Sequence, residues 1–67
     1  MIDRTGTQVK GQYQGRKFCG YVTASRESKI WRDTQHTVEL ESWIEISNIS
    51  VQSLNLTEAE LRIIQSR

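Results

Sequence analysis

The chain has 67 residues, a net charge of +1 and a hydrophobic fraction of 36%, which limits it to one small domain. It contains one cysteine and one histidine, which excludes an intramolecular disulfide and an ordinary structural zinc site. No apolar run is long enough to cross a bilayer, and residues 1–6 lack the apolar core of a secretory signal. We therefore expect a cytoplasmic protein without metal or other cofactors, stabilised by efficient packing or by self-association.

The first half begins with two runs of alternating side chains that predict a β-hairpin. Residues 7–14 place Val9, Gly11 and Tyr13 on one face and polar side chains on the other. Residues 18–25 alternate in the same way, and Gly15 supplies the conformational freedom that a tight turn between the runs requires. A glycine inside each run indicates a bend or a close backbone approach.

The middle of the chain predicts a long loop and then a strand. Residues 26–34 are polar and show no sustained period, which is typical of a loop. Residues 35–41 alternate as a strand, with His36 on the inward parity near its start. Residues 42–46 keep the same parity, so this part is either a single long, bent strand or two strands that meet near residues 41–42.

A turn and a final strand follow. Ser47 and Asn48 favour a turn because both side chains hydrogen-bond nearby backbone groups. Residues 49–52 form the last strong strand pattern, and residues 53–56 are a possible extension of it.

The C-terminal residues predict a short helix that begins at about residue 57. Thr57 and Glu60 have the spacing of a capping box, and Leu56 and Leu61 have the spacing of a hydrophobic staple around it. Glu58 suits the positive end of the helix dipole. A helix of this length does not persist alone, so it must pack on the sheet or on a partner.

Few side chains in the sequence have the character needed for catalysis. Cys19 and His36 are the one conceivable thiol–imidazole pair, but Cys19 falls on the outward parity and His36 is interpreted as a packed or hydrogen-bonded residue. Glu39, Glu41 and Glu45 share a strand face, where carboxylates can transfer protons or bind a cation. The same pattern is typical of a solvated strand face, and no phosphate-binding glycine loop is present. The sequence therefore predicts a protein that is not an enzyme.

The distribution of charge favours a binding function. Residues 1–32 carry seven basic and two acidic side chains, whereas residues 33–67 carry two basic and six acidic ones. Basic side chains attract phosphates, and interleaved aromatic rings provide stacking platforms for unpaired bases. The candidate nucleic-acid-binding residues are Lys10, Arg16, Lys17, Tyr21, Lys29, Trp31 and Arg32.

The second half offers an alternative partner. Trp43 falls on the outward parity between Glu41 and Glu45, and an exposed tryptophan is typical of a protein interface. The acidic neighbours would repel a nucleic acid. The alternative hypothesis is therefore a protein-binding adaptor or inhibitor of a host protein that uses Glu39, Glu41, Trp43, Glu45 and the C-terminal helix. Self-association into a homo-oligomer is a third possibility.

The order of the elements resembles that of SH3-like small barrels. The segment VKGQYQGRKFCGYV, residues 9–22, is similar to the first hairpin of Tudor- and KOW-type barrels, and the chain also resembles short bacteriophage proteins of this size. The resemblance covers residues 7 to about 51 and implies a mainly β fold, a barrel of about five antiparallel strands. The short C-terminal helix predicted from about residue 57 departs from it, because many such barrels have a final strand there. It also implies binding of RNA, DNA or peptide segments. The first hypothesis is therefore a phage-encoded binding module, not an enzyme, that contacts nucleic acid or a nucleoprotein complex through its basic and aromatic surface.

Overall fold

The computed structural model describes residues 2–30 and 32–65, which form one antiparallel sheet and one helix. The elements are β1 (Gln8–Tyr13), β2 (Arg16–Glu27), β3 (Thr34–Ile46), β4 (Ile49–Thr57) and α1 (Glu58–Gln65). The strands lie in the order β1-β2-β3-β4, so β1 and β4 are the edges of the sheet. The prediction of a mainly β fold with a C-terminal helix is confirmed. The described residues contain four strands rather than about five, in an open sheet.

Two-residue turns close both hairpins. Gln14–Gly15 joins β1 to β2, and Ser47–Asn48 joins β3 to β4. All four residues have positive φ values, between 50° and 81°, as in type I′ turns, whose twist matches that of the flanking strands. The predicted turns are confirmed.

The strands in the middle of the chain are longer than their sequence pattern predicts. β2 continues to Glu27 and β3 begins at Thr34, which shortens the predicted loop of residues 26–34 to residues 28–33. The prediction was wrong at both ends of the loop because cross-strand pairing, here between Glu27 and Thr34, extends the ladder without any apolar alternation. Trp31 lies outside the described residues.

Residues 35–46, for which the sequence predicts either one bent strand or two strands, lie in a single strand. β3 runs without interruption through residues 41–42, but its register with β4 shifts between Glu39 and Ile44. β4 is likewise one strand that includes the extension at residues 53–56.

One face of the sheet carries the hydrophobic core, and α1 covers it. The helix contacts β1, β4 and β3, so it connects the two edges of the sheet. The buried apolar side chains are Val9, Phe18, Val22, Val38, Leu40, Leu54, Leu56 and Leu61.

The start of α1 has the capping box that the sequence predicts. The Thr57 amide donates to Glu60 Oε1 (3.1 Å), and the Glu60 amide donates to Thr57 Oγ1 (3.2 Å). Leu56 and Leu61, the two residues of the predicted staple, are both fully buried. The cap therefore fixes where the chain leaves the sheet and begins to cross the core.

The two glycines inside the strands of the first hairpin, Gly11 and Gly20, occupy positions of close approach, as expected. A β-carbon at Gly11 would overlap the side chain of Ile64, so Gly11 allows the C-terminal half of α1 to lie against β1. A β-carbon at Gly20 would overlap the main-chain oxygen of Glu39, so Gly20 allows β2 and β3 to approach each other.

Substitution of Gly20 by alanine should destabilise the fold strongly. The added methyl group meets backbone rather than a mobile side chain, so β2 and β3 must separate, at a cost of about 3 kcal/mol in the free energy of unfolding. Urea denaturation measures this change. Gly15→Asn is the matched control, because asparagine tolerates the positive φ of the turn and nothing lies within contact distance there. A change of less than about 1 kcal/mol for Gly20→Ala would contradict the close approach.

Candidate functional site

The antiparallel order gives the sheet two chemically different ends. The turns Gln14–Gly15 and Ser47–Asn48 lie together at one end, which we call the turn end. The loop of residues 28–33 and the beginning of α1 lie at the opposite end, which we call the helix end.

Three of the predicted nucleic-acid-binding residues share the outer face of the β1–β2 hairpin. Lys10 is paired with Cys19, and Lys17 and Tyr21 lie on either side of Cys19 along β2 with the same parity. All three predicted residues are exposed. We call Lys10, Lys17 and Tyr21 the outer basic patch.

The other predicted basic residues lie elsewhere. Arg16 has the opposite parity to Lys17 and lies at the turn end. Lys29 and Arg32 lie in the loop at the helix end. Trp31 lies outside the described residues. The structure thus divides the basic residues expected from sequence among three places, and among the described candidate residues the outer basic patch brings two lysines and an aromatic ring together.

The predicted protein-binding residues, in contrast, all lie on β3. Glu39, Glu41, Trp43 and Glu45 are exposed, and 64% of the Trp43 surface is accessible. None of these four side chains makes a hydrogen bond or ion pair with another residue in the described ranges. We call them the acidic–aromatic segment.

The backbone around Trp43 has an interruption in strand pairing. The pairing of β2 with β3 reaches only to Leu40, and the pairing of β3 with β4 is interrupted between Glu39 and Ile44. Within the described residues, 41–43 therefore have no register partner in either neighbouring strand. A bulge of this kind bends a strand and redirects its side chains, which accounts for the exposure of a large indole in the middle of a sheet.

The turn end, near Trp43, has exposed apolar surface. Ile44, Ile46 and Val51 are only partly buried, although they pack against the core. Ile49 is paired with Ile46 and is 63% exposed. Together with Trp43, these side chains make the turn end an apolar region next to Glu41 and Glu45, which form no ion pair with any described residue.

The helix end contains a buried polar cluster around Glu58. Glu58 Oε1 accepts from Arg4 Nε (2.7 Å) and from His36 Nε2 (2.8 Å). Glu58 Oε2 accepts from Arg4 Nη2 (2.7 Å) and from Arg62 Nε (2.7 Å). These bonds occupy all four acceptor positions of the carboxylate.

The cluster continues through His36 to the N-terminal segment. His36 is fully buried, and its Nδ1 lies 2.7 Å from Ser25 Oγ, which also accepts from the Arg4 amide (3.0 Å). An ionised carboxylate can only accept, so His36 Nε2 donates to Glu58, and in the neutral ring Nδ1 accepts from the Ser25 hydroxyl. Hydrogen bonds thereby connect the N-terminal segment, β2, β3 and α1.

Ion pairing dominates the electrostatics of this cluster. The hydrogen bonds from Arg4 lower the pKa of Glu58 from 4.5 to about 2, assisted by His36 and Arg62 and opposed by burial. The same contact raises the pKa of Arg4.

The cluster contains a hydroxyl, an imidazole and a carboxylate, the groups of a nucleophile–base–orienter arrangement. The geometry suits a structural role better. His36 is inaccessible to solvent, and two guanidinium groups saturate the carboxylate of Glu58. We interpret the cluster as a set of structural contacts that fixes the start of α1.

The prediction that His36 is a packed or hydrogen-bonded residue agrees with the structure, but its partner could not be read from the local pattern. That pattern relates Glu58 only to the helix dipole and gives Arg4 no role. A signal was present: the start of the third strand and the end of the fourth must meet at one end of an antiparallel sheet. The first turn of the helix therefore had to lie near an inward-facing His36.

Among residues 2–30 and 32–65, no group of three or more histidine, cysteine, aspartate or glutamate side chains is placed to hold a metal ion. No helix in these ranges has the length and apolar character needed to cross a membrane. Comparison of the chain with protein-family models, with curated proteins and with solved structures found no match.

Replacement of Glu58 by glutamine should lower the free energy of unfolding by about 2 kcal/mol. The new amide group would present donor hydrogens to side chains that also donate. The loss should depend on pH. The stabilisation from a carboxylate of lowered pKa is complete above 4.5 and disappears as the pH falls to about 2. The two proteins should therefore differ most above pH 4.5 and converge toward pH 2, as measured by urea denaturation at each pH.

Glu27→Gln is the matched control, because Glu27 is exposed and makes no ion pair within the described part of the chain. It should change stability by less than about 0.5 kcal/mol at every pH. Equal effects of the two substitutions, or a difference that does not change between pH 4.5 and 2, would contradict the role of Glu58.

Proposed function

We propose that this chain is a small non-enzymatic binding module that engages a protein partner through the turn end. The observation that supports the proposal is Trp43, which is 64% exposed on a stretch of β3 that has no register partner in the described part of the chain. Tryptophan is enriched among the residues that contribute most to protein interfaces, because a large ring buries much area with few rotatable bonds.

The charges near Trp43 indicate the chemistry of the partner. Glu41 and Glu45 flank the indole in the sequence and lack ion pairs within the described residues. A lysine or arginine side chain from a partner can lie on the indole face and reach a carboxylate at the same time. The exposed Ile49 extends this surface with apolar area. The expected partner is therefore a protein that presents a basic residue beside apolar ones.

A nucleic-acid partner is the second candidate, and the outer basic patch supports it. Lys10 and Lys17 occupy diagonal positions across β1 and β2, with Tyr21 on the same face. Two cations and one ring suit weak, salt-sensitive contact with a single strand. The patch is smaller than the sequence suggested, because Arg16 lies at the turn end and Lys29 and Arg32 lie in the loop at the helix end. For this reason the protein partner is the preferred proposal.

The SH3-like barrel is the corresponding proposal for the architecture. The contacts of α1 with β1, β3 and β4 support it, because the helix connects the two edges where a short fifth strand would otherwise close a barrel. In this arrangement α1 takes the place of the closing strand, and β1 and β4 do not pair with each other within the described residues. The similarity to bacteriophage proteins and the homo-oligomer remain predictions.

Affinity capture with substituted proteins separates the two candidate partners. We expect a stoichiometric protein partner from the native host that survives nuclease treatment, with affinity reduced at least about 30-fold by Trp43→Ala. The double variant Lys10→Glu/Lys17→Glu should retain this partner. Tyr21→Ala is the control for loss of an exposed ring, because Tyr21 is 45% exposed on the outer basic patch.

The opposite result would favour a nucleic acid over a protein as the partner. In that case nuclease would release the captured material, and Lys10→Glu/Lys17→Glu would abolish binding while Trp43→Ala would not. Binding to a labelled oligonucleotide would then weaken steeply as salt increases.

A further inference from the structure

The edge strand β1 directs the backbone groups of alternate residues away from the sheet. The Val22 amide donates to the Thr7 oxygen (2.9 Å), so the carbonyl of Thr7 points toward β2. Alternate residues of an antiparallel strand direct their backbone groups to opposite sides. The backbone groups of Gln8, Lys10 and Gln12 therefore point away from the sheet. Consistent with this, the Gln8 oxygen accepts from the side chain of Gln65 (3.4 Å).

A groove runs between this edge and α1. Its volume is about 470 Å³, and it is lined by Lys10, Gly11, Gln12, Ile63 and Ile64. One wall is the outward-directed backbone of β1, and the other is the helix, from which Ile63 stands 58% exposed. Gly11 has no side chain to fill the floor, and Ile64 lies directly against it. An edge strand beside a helix is the arrangement that domains use to bind a peptide by strand addition.

We propose that the groove between β1 and α1 binds an extended segment of a partner protein, which pairs with the backbone of Lys10 and Gln12 as a fifth strand. This site is separate from the acidic–aromatic segment on β3. Main-chain hydrogen bonds provide affinity, and the side chains that line the groove select the sequence.

The lining residues define the segment that fits. Side chains of an added strand alternate between the two faces of the sheet. Those on the inner face meet Ile63 and Ile64, so they are apolar. Those on the outer face lie beside Lys10, which forms no ion pair within the described residues, so they are acidic. The segment is therefore an extended run of alternating apolar and acidic residues.

A second copy of the chain is a poorer occupant. Antiparallel pairing of two β1 edges would bring two Lys10 side chains to the same face of adjoining strands, where like charges are unfavourable. Lysine on an edge strand is a common protection against such pairing.

The test uses a capped peptide of three valine–glutamate repeats and the full chain labelled with ¹⁵N. We expect saturable chemical-shift changes that are largest at the amides of Lys10 and Gln12. Lys10→Glu should weaken binding about fivefold by reversing the charge. Gln12→Pro should weaken it at least about tenfold, because proline removes an outward amide without removing a bond to β2. Ile63→Ser should also weaken binding, through loss of apolar contact.

The controls separate the groove from general effects of charge and hydrophobicity. Ile30→Ser removes an equally large side chain that is 82% exposed in the loop at the helix end, and Lys29→Glu makes the same charge change there. Both should bind the peptide as the unsubstituted chain does. If Gln12→Pro does not fold, Lys10→Glu and Ile63→Ser still decide the question.

Four outcomes would overturn the proposal. The first is equal binding of a valine–lysine peptide, which would remove the selection for acidic residues. The second is binding that Lys10→Glu and Ile63→Ser leave unchanged, and the third is no binding at millimolar peptide. The fourth is concentration-dependent dimerisation abolished by Gln12→Pro, which would identify a second copy as the occupant.

Discussion

The position of α1 depends on one buried carboxylate. Glu58 is the first residue of the helix, and it joins Arg4 of the N-terminal segment, His36 of β3 and Arg62 one turn further along the helix. Because a buried charge is tolerated only when it is fully paired, these partners fix where the helix starts and in which direction it leaves the sheet. That direction places Leu61 in the core and Ile64 against Gly11. The groove beside β1 exists because the helix is held there.

The two ends of the sheet differ in how far their polar and apolar groups are satisfied. At the helix end, hydrogen bonds occupy all four acceptor positions of the buried Glu58 carboxylate. At the turn end, residues 41–43 have no register partner among the described residues, and Trp43 and Ile49 are exposed. A domain of this size has little stability to spare, so exposed aromatic surface and broken pairing are more readily understood as features of binding than of folding.

Local patterns in the sequence predict the elements but not the contacts between distant ones. The turn at Gln14–Gly15 and the cap at Thr57 depend on neighbouring residues, and both were predictable. The length of β2 was not, because its last residues are held by pairing with β3 rather than by alternation. The cluster at Glu58 joins residues as far apart as Arg4 and Arg62, which no periodicity reports. The acidic–aromatic segment was predictable as a set because one strand carries it, whereas the basic residues were scattered by the topology.

The two edges of the sheet show why strand addition is assigned to β1. Both β1 and β4 are edges, and exposed edges usually carry features that prevent unwanted pairing. On β4, the exposed residues Gln52, Ser53 and Asn55 are polar, and none of them lines the groove beside α1. On β1, the helix provides an apolar wall, and Gly11 allows Ile64 of that wall to lie against the strand. Lys10 disfavours pairing with the β1 edge of a second copy but favours pairing with an acidic strand. The same residue therefore prevents self-pairing and selects the charge of the bound segment.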